Sequence, residues 1–331
     1  MKVALGEEGS PLDGGAKCSR GPSAWATHAA LIVVQIAFAS QAVEAKLAML
    51  PRAQGGEGMN PEAIAMVRMV GGAIFFQAAV FSRRRTPSRG EHVASTGRVL
   101  PSDAGLHARL VGLGALGVAI NQALFLAGLR GSTPFVVSIL GATIPVLTAA
   151  LAILFRKERA SWRTGAGLIL ALSGVFWLTG IGSGGQVDRG AMLVALNSLS
   201  YAGYVVFSRD IVRQLGSMRF MAWVFTYGAL LFAPLGMRAL IAQLPILEPR
   251  GWLLIAYIVV VPTIIAYGLN AWALARSTAT MVTIYIYLQP LIAATLARVQ
   301  LGYAVSSRAG LASVLILAGV AVTSLKRVRT A

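Results

Sequence analysis

Charge is what this sequence has least of. Only 12% of its 331 residues are Asp, Glu, Lys or Arg, about half of what a soluble domain carries, so there is too little polar surface to wrap a water-soluble globule. Acids are scarcer still, 12 against 29 Lys and Arg. Cysteine appears once, Cys18, which excludes an internal disulfide. The three histidines, His28, His92 and His107, are scattered and form no ligand cluster. No GxSxG elbow and no pair of carboxylates inside an apolar run is present, which argues against a membrane-embedded enzyme. No metal or other cofactor is expected.

What remains is apolar. Hydrophobic residues make up 56% of the chain and the mean hydropathy is +0.70, the composition of an integral membrane protein. A helix crosses the ~30 Å hydrocarbon core with about 20 apolar residues. That ruler predicts an all-α protein with ten spans: 26–49, 61–82, 108–129, 132–155, 162–181, 190–208, 219–242, 252–275, 279–298 and 308–325. A polar leader, 1–25, lacks the apolar core of a cleavable signal peptide, so the first span is expected to stay in the mature chain. One long polar insert, 83–107, reads as a loop. Asn60-Pro61-Glu62 reads as a helix start, and Gly131-Ser132-Thr133-Pro134 as a tight turn.

The net charge of +17 suggests nucleic acid until the cations are placed. With the N-terminus in the cytoplasm, 20 Lys and Arg fall in cytoplasmic segments and seven on the opposite side, leaving Lys46 and Arg68 within spans. Alternation loop by loop is the positive-inside pattern. It predicts a multi-pass plasma (inner) membrane protein with both termini cytoplasmic, and it removes the need for a nucleic-acid partner.

The chain also resembles itself. Offset by 145, Pro145 meets Pro290, Gly165 meets Gly310, and Gly174-Val175 meets Gly319-Val320; residues 124–175 give 17 identities in 52 positions without a gap. This predicts two five-helix units, 26–181 and 188–326. An odd span count inverts one unit relative to the other, an arrangement typical of secondary transporters. Pro145 and Pro290 fall near the middle of the fourth and ninth spans, each freeing the carbonyl four residues earlier, at Gly141 and Ile286. Such backbone is tolerated at that depth only under protein or beside a wet cavity.

The segments PVLTAALAILFRKERASWRTGAGLILALSG (145–174) and PLIAATLARVQLGYAVSSRAGLASVLILAG (290–319) resemble the drug/metabolite transporter superfamily, in its EamA-type branch. In that family each half runs from a mid-helix proline through a loop glutamate to a glycine-bearing last helix. Glu158 fits the glutamate position, and Tyr303 departs from it. Arg68 stands where such families often carry an arginine in the second span. The resemblance implies a transporter of small organic metabolites or drugs, directed outward.

Ionisable residues inside a membrane mark pathways or partners. Glu44 and Arg68 are expected to form an ion pair or to meet a substrate, and Lys46 to snorkel to the nearer boundary. Neutral polar residues form stripes: Asn197, Tyr201 and Tyr204 in the sixth span; Tyr267 and Asn270, with Thr263, in the eighth; Tyr285 and Gln289 in the ninth; Gln122 in the third. A pocket of tyrosines and amides suits small zwitterionic, aromatic or amphipathic solutes. The candidate substrate residues are therefore Arg68, Glu44, Gln122, Asn197, Tyr201, Tyr204, Tyr267, Asn270, Tyr285 and Gln289, with Pro145 and Pro290 as hinges. The expected partners are a small molecule and the bilayer. A flippase for lipid-linked sugars is the alternative, and the oligomeric state is open, a homodimer included.

Overall fold

The computed structural model describes residues 24–85, 103–157, 162–179, 188–277 and 279–324. The leader with Cys18, most of the insert, His92 and the loop glutamate Glu158 lie outside them. The described residues are mostly helical, in ten main rods. In chain order these are α1 (Ala24–Met49), α2 (Pro61–Arg85), α3 (Ala104–Arg130), α4 (Pro134–Leu154), α5 (Trp162–Thr179), α6 (Arg189–Leu215), α7 (Ser217–Gln243), α8 (Pro249–Arg276), α9 (Ala279–Ile284 running through Tyr285–Leu288 into Gln289–Leu301) and α10 (Ser307–Ser324).

Local chemistry sets the rod ends. The Asp103 carboxylate accepts from the Gly105 amide at 2.8 Å and starts α3 four residues earlier than hydropathy places it. Thr133 caps α4, with Pro134 as its first residue. Asp188 caps α6 through the Ala191 amide at 2.9 Å. Gly216, at φ +77°, joins α6 to α7 in a one-residue turn that a side chain would strain.

Among the described residues, eight rods are long and apolar enough to cross a membrane, where ten spans were expected. The exceptions, α5 and α10, are 18 residues each. Arg163 in its first turn dilutes the hydropathy of α5, and the described apolar stretch of α10, Ser307–Gly319, is shorter than a span. The bundle turns apolar side chains outward: Leu253, Leu291 and Val299 are each more than 70% exposed. Such surface suits lipid and not water.

α2 lies along α7 and α5 along α10; α1 contacts α8 and α9, while α6 contacts α3 and α4; α3 meets α7 and α2 meets α8. This set of neighbours is unchanged when each of the first five rods is swapped for the one five places on. Backbone irregularities keep the 145-residue register. α3 widens into a π-turn at Ala115–Ala119 and α8 at Val260–Ile265. α4 breaks at Ala142-Thr143 before Pro145, and α9 tightens into a 3-10 turn at Tyr285–Leu288 before Pro290. Gly174 and Gly319 also correspond. A Cβ on Gly174 would come within 2.7 Å of Ile316, and one on Gly319 within 2.7 Å of the Ala171 nitrogen, so both glycines are spent on α5–α10 contact.

Candidate functional site

Six rods, α1, α3, α4, α6, α8 and α9, line a partly open cavity. Its lining residues stand within roughly 12 Å of their helix midpoints at 1.5 Å per residue. The polar part comprises Gln35 and Gln41 from α1, Asn121 and Gln122 from α3, Ser138 from α4, Asn197 and Tyr201 from α6, Tyr267 and Asn270 from α8, and Thr283 and Gln289 from α9. Phe38, Phe125, Val137 and Ile286 supply apolar wall. Gly141 and Ile286, whose carbonyls the two prolines were expected to free, both border it.

Arg68 lies one layer behind this wall, 1% exposed. Its Nε donates to Thr263 Oγ1 at 2.8 Å and its Nη2 to Gln41 Oε1 at 3.0 Å, while Nη1 donates to Gln122 Oε1. All three acceptors are neutral. The expected Glu44–Arg68 pair is not among the ion pairs of the described residues, and half-buried Glu44 stands outside the cavity lining. The reason is local: Gln41, one turn before Glu44, already takes the α1-facing edge of the guanidinium.

Thr263 has two roles. Pro262 lacks the N–H that would bond the Ile258 carbonyl, and the Thr263 hydroxyl donates to that carbonyl instead, at 2.8 Å. Its only hydrogen is thereby used, and its oxygen is left to accept from Arg68. The π-turn of α8 and the buried cation are thus joined at one hydroxyl.

Of the sequence candidates, the structure gathers Gln122, Asn197, Tyr201, Tyr267, Asn270 and Gln289 around the cavity. Gln122 Nε2 donates to Tyr267 Oη at 2.8 Å, so two residues 145 apart meet directly. Asn270 and Tyr201 are 3.0 Å apart, and Gln289 Nε2 donates to Gln35 Oε1 at 2.6 Å. Tyr204 is not brought to the cavity. Its ring is buried over Gly117, where any side chain would collide with it, and lies beside Tyr201 and Phe220. Tyr285 points away and hydrogen-bonds His28.

Lys46 does not snorkel. It is buried and donates to the carbonyls of Leu129 (3.0 Å), Arg130 (2.9 Å) and Ser132 (2.7 Å), closing the C-terminus of α3, where the helix dipole favours a cation. Sequence reasoning missed Gln35, Gln41, Asn121, Ser138 and Thr283. Gln35 and Gln41 were accessible to it, as amides in an apolar run flanking Phe38. Among the described residues no three His, Cys, Asp or Glu side chains are grouped to hold a metal.

A helical membrane bundle with a neutral, polar, mid-depth cavity has the form of a small-solute transporter. The chain belongs to the EamA-like transporter family, whose model matches it twice, over residues 25–180 and 188–325. A Bacillus subtilis protein named "Uncharacterized transporter YdfC" is 27% identical over 82% of this chain and 84% of its own length. Another from the same organism, "Uncharacterized transporter YwfM", is 29% identical over 65% of this chain and 73% of its own. An Escherichia coli protein, "Uncharacterized inner membrane transporter YedA", is 25% identical over 58% and 61%. A solved crystal structure shares the fold, with a TM-score of 0.59 over 93% of this chain and all of its own, at 18% identity. This protein is therefore a multi-pass membrane transporter.

Proposed function

We propose that the protein exports a small organic solute, amino acid-like or aromatic and amphipathic, across the plasma (inner) membrane by alternating access. The observation that carries this reading is the cavity itself, walled by α1, α3 and α4 from one half and by α6, α8 and α9 from the other. A site shared between two halves changes exposure when one half rocks against the other. In this reading all ten rods cross the bilayer as two five-helix copies of opposite orientation, 26–181 and 188–326, with both termini cytoplasmic. The double family match, the 145-residue register of π-turns and proline breaks, and the interchangeable helix neighbours all support it. Membrane placement follows the distribution of Lys and Arg and the name of the Escherichia coli relative; outward direction follows the family resemblance. α5 and α10, at 18 residues, span about 27 Å, close to the bilayer core.

The test compares metabolites inside and outside cells that overproduce or lack the protein, followed by flux of the responding compounds in proteoliposomes. Export of a small solute, lost in Arg68→Ala while membrane insertion is retained, is the expected result. Translocation of a fluorescent lipid probe without solute flux would replace this reading with a flippase. Saturable binding without flux would replace it with a receptor.

A further inference from the structure

We infer that the cavity receives a solute carrying a carboxylate, whose oxygens take the hydrogens of Gln41, Asn121 and Tyr267, with Arg68 acting behind them as a positioning residue. The inference rests on the transport reading of the same cavity and names the chemistry of its solute.

The argument is one of hydrogen-bond polarity. A guanidinium only donates, so the Gln41 and Gln122 amides must turn their oxygens toward Arg68. Each then presents its NH2 on the other side. The Gln122 NH2 is spent on Asn121 Oδ1 (2.9 Å) and Tyr267 Oη (2.8 Å). Asn121, having given its oxygen, is left with its own NH2; Tyr267, having accepted, is left with its hydroxyl hydrogen. All of these residues line the cavity, and among the described residues nothing accepts from Gln41 Nε2, Asn121 Nδ2 or the Tyr267 hydroxyl. One buried cation thus dictates three free donors on one wall.

The rest of the wall has no such bias. In the Asn270–Tyr201 and Gln289–Gln35 pairs both partners can donate and accept, so their direction is free to reverse. Asn197 differs again. Its NH2 is fixed on the Asn121 carbonyl at 2.7 Å, leaving Oδ1 for an ammonium or hydroxyl on the same solute.

Charge points the same way. Arg68 is 1% exposed, and its three partners are neutral oxygens. A buried charge without a counter-ion is costly. A carboxylate arriving in the adjacent cavity supplies the missing sign where the field is weakly screened. An ammonium at the same wall meets three hydrogens and a cation.

The test uses the full chain in detergent micelles and follows thermal unfolding with phenylacetate, 3-phenylpropionate and hexanoate, each beside its amide and its amine. The carboxylates are expected to raise Tm and their amides and amines not to. Equal shifts with amides or amines, or no shift with any carboxylate, would overturn the inference. Gln41→Glu and Asn121→Asp keep the oxygens that Arg68 and Gln122 use and replace a cavity hydrogen by a second carboxylate oxygen. Gln41→Glu is expected to raise the ligand-free Tm, because a tethered carboxylate takes the place of the bound one. Each variant is expected to weaken carboxylate binding about 10- to 100-fold. Unaltered binding in both would show that Arg68 is purely structural. Proteoliposome flux separates the two readings: flux of amides or amines without carboxylate preference leaves transport standing and sinks this inference. Carboxylate binding without any flux does the reverse.

Discussion

The two ends of the bundle are built from corresponding parts and are held differently. At one end Lys46, near the close of α1, places three hydrogen bonds on the α3–α4 turn, the last of them to the Ser132 carbonyl. At the other end Arg213, near the close of α6, reaches the Ser277 carbonyl in the α8–α9 turn. Ser132 and Ser277 stand 145 residues apart, so the two cations address the same position of the two halves. The Lys46 contact is buried, with bonds of 2.7 to 3.0 Å; the Arg213 contact is exposed, at 3.5 Å. Beside Lys46, the backbones of Gly128 and Gly190 meet so closely that a Cβ on Gly190 would lie 2.9 Å from the Gly128 oxygen. One end is therefore closed by tight backbone contact beside a buried lysine, and the other is held by an exposed cation.

That comparison is open to breakage at three points. The largest effect on access to the Lys46 end is expected from Gly190→Val, whose side chain meets backbone that has no room to give. It should cost about 1–3 kcal/mol and expose the Lys46 end, read as faster maleimide labelling of a Ser132→Cys reporter; unchanged labelling would mean that glycine contact does not seal this end. Lys46→Met comes next. It removes three charge-assisted bonds, each worth up to ~3 kcal/mol at most, and should lower Tm and raise the same labelling while the packing glycines stay in place. Arg213→Met should be smallest, within about 1 kcal/mol, with labelling at the Lys46 end unchanged or slower. A Tm loss equal to that of Lys46→Met would erase the distinction between the ends.

Much of this organisation was legible in the sequence because it is written in residues with unusual backbone behaviour. Pro145, Pro290, Gly174 and Gly319 announced the 145-residue register, and the breaks in α4 and α9 fall where those prolines demand. The π-turns were not legible. Pro262 marks one, but its counterpart Gly117, over which the Tyr204 ring packs, gives no comparable signal. At the site, polar stripes located Gln122, Tyr201, Tyr267 and Asn270, because neutral polar groups in an apolar helix need partners.

The same rule misassigned Arg68 and Lys46. Opposite charge suggested Glu44 as the natural partner for Arg68, yet the buried cation chose amide and hydroxyl oxygens that the fold brings closer. Lys46 was assigned to the boundary by depth alone, although the bare carbonyls ending α3 offered it three acceptors inside the protein. Tyr204 shows the limit of periodicity: it shares a helix face with Tyr201, but one turn is enough to move a ring from cavity wall to helix–helix seam.

The Thr263 hydroxyl ties a helix defect to a charge, and this limits what can stand at that position. Serine preserves both bonds. Valine, which matches the shape, forfeits the repair of α8 and the anchorage of the guanidinium together. Bend and cation are in this sense a single heritable unit: the geometry of α8 cannot be tuned at residue 263 without also retuning the electrostatic field that the cavity feels.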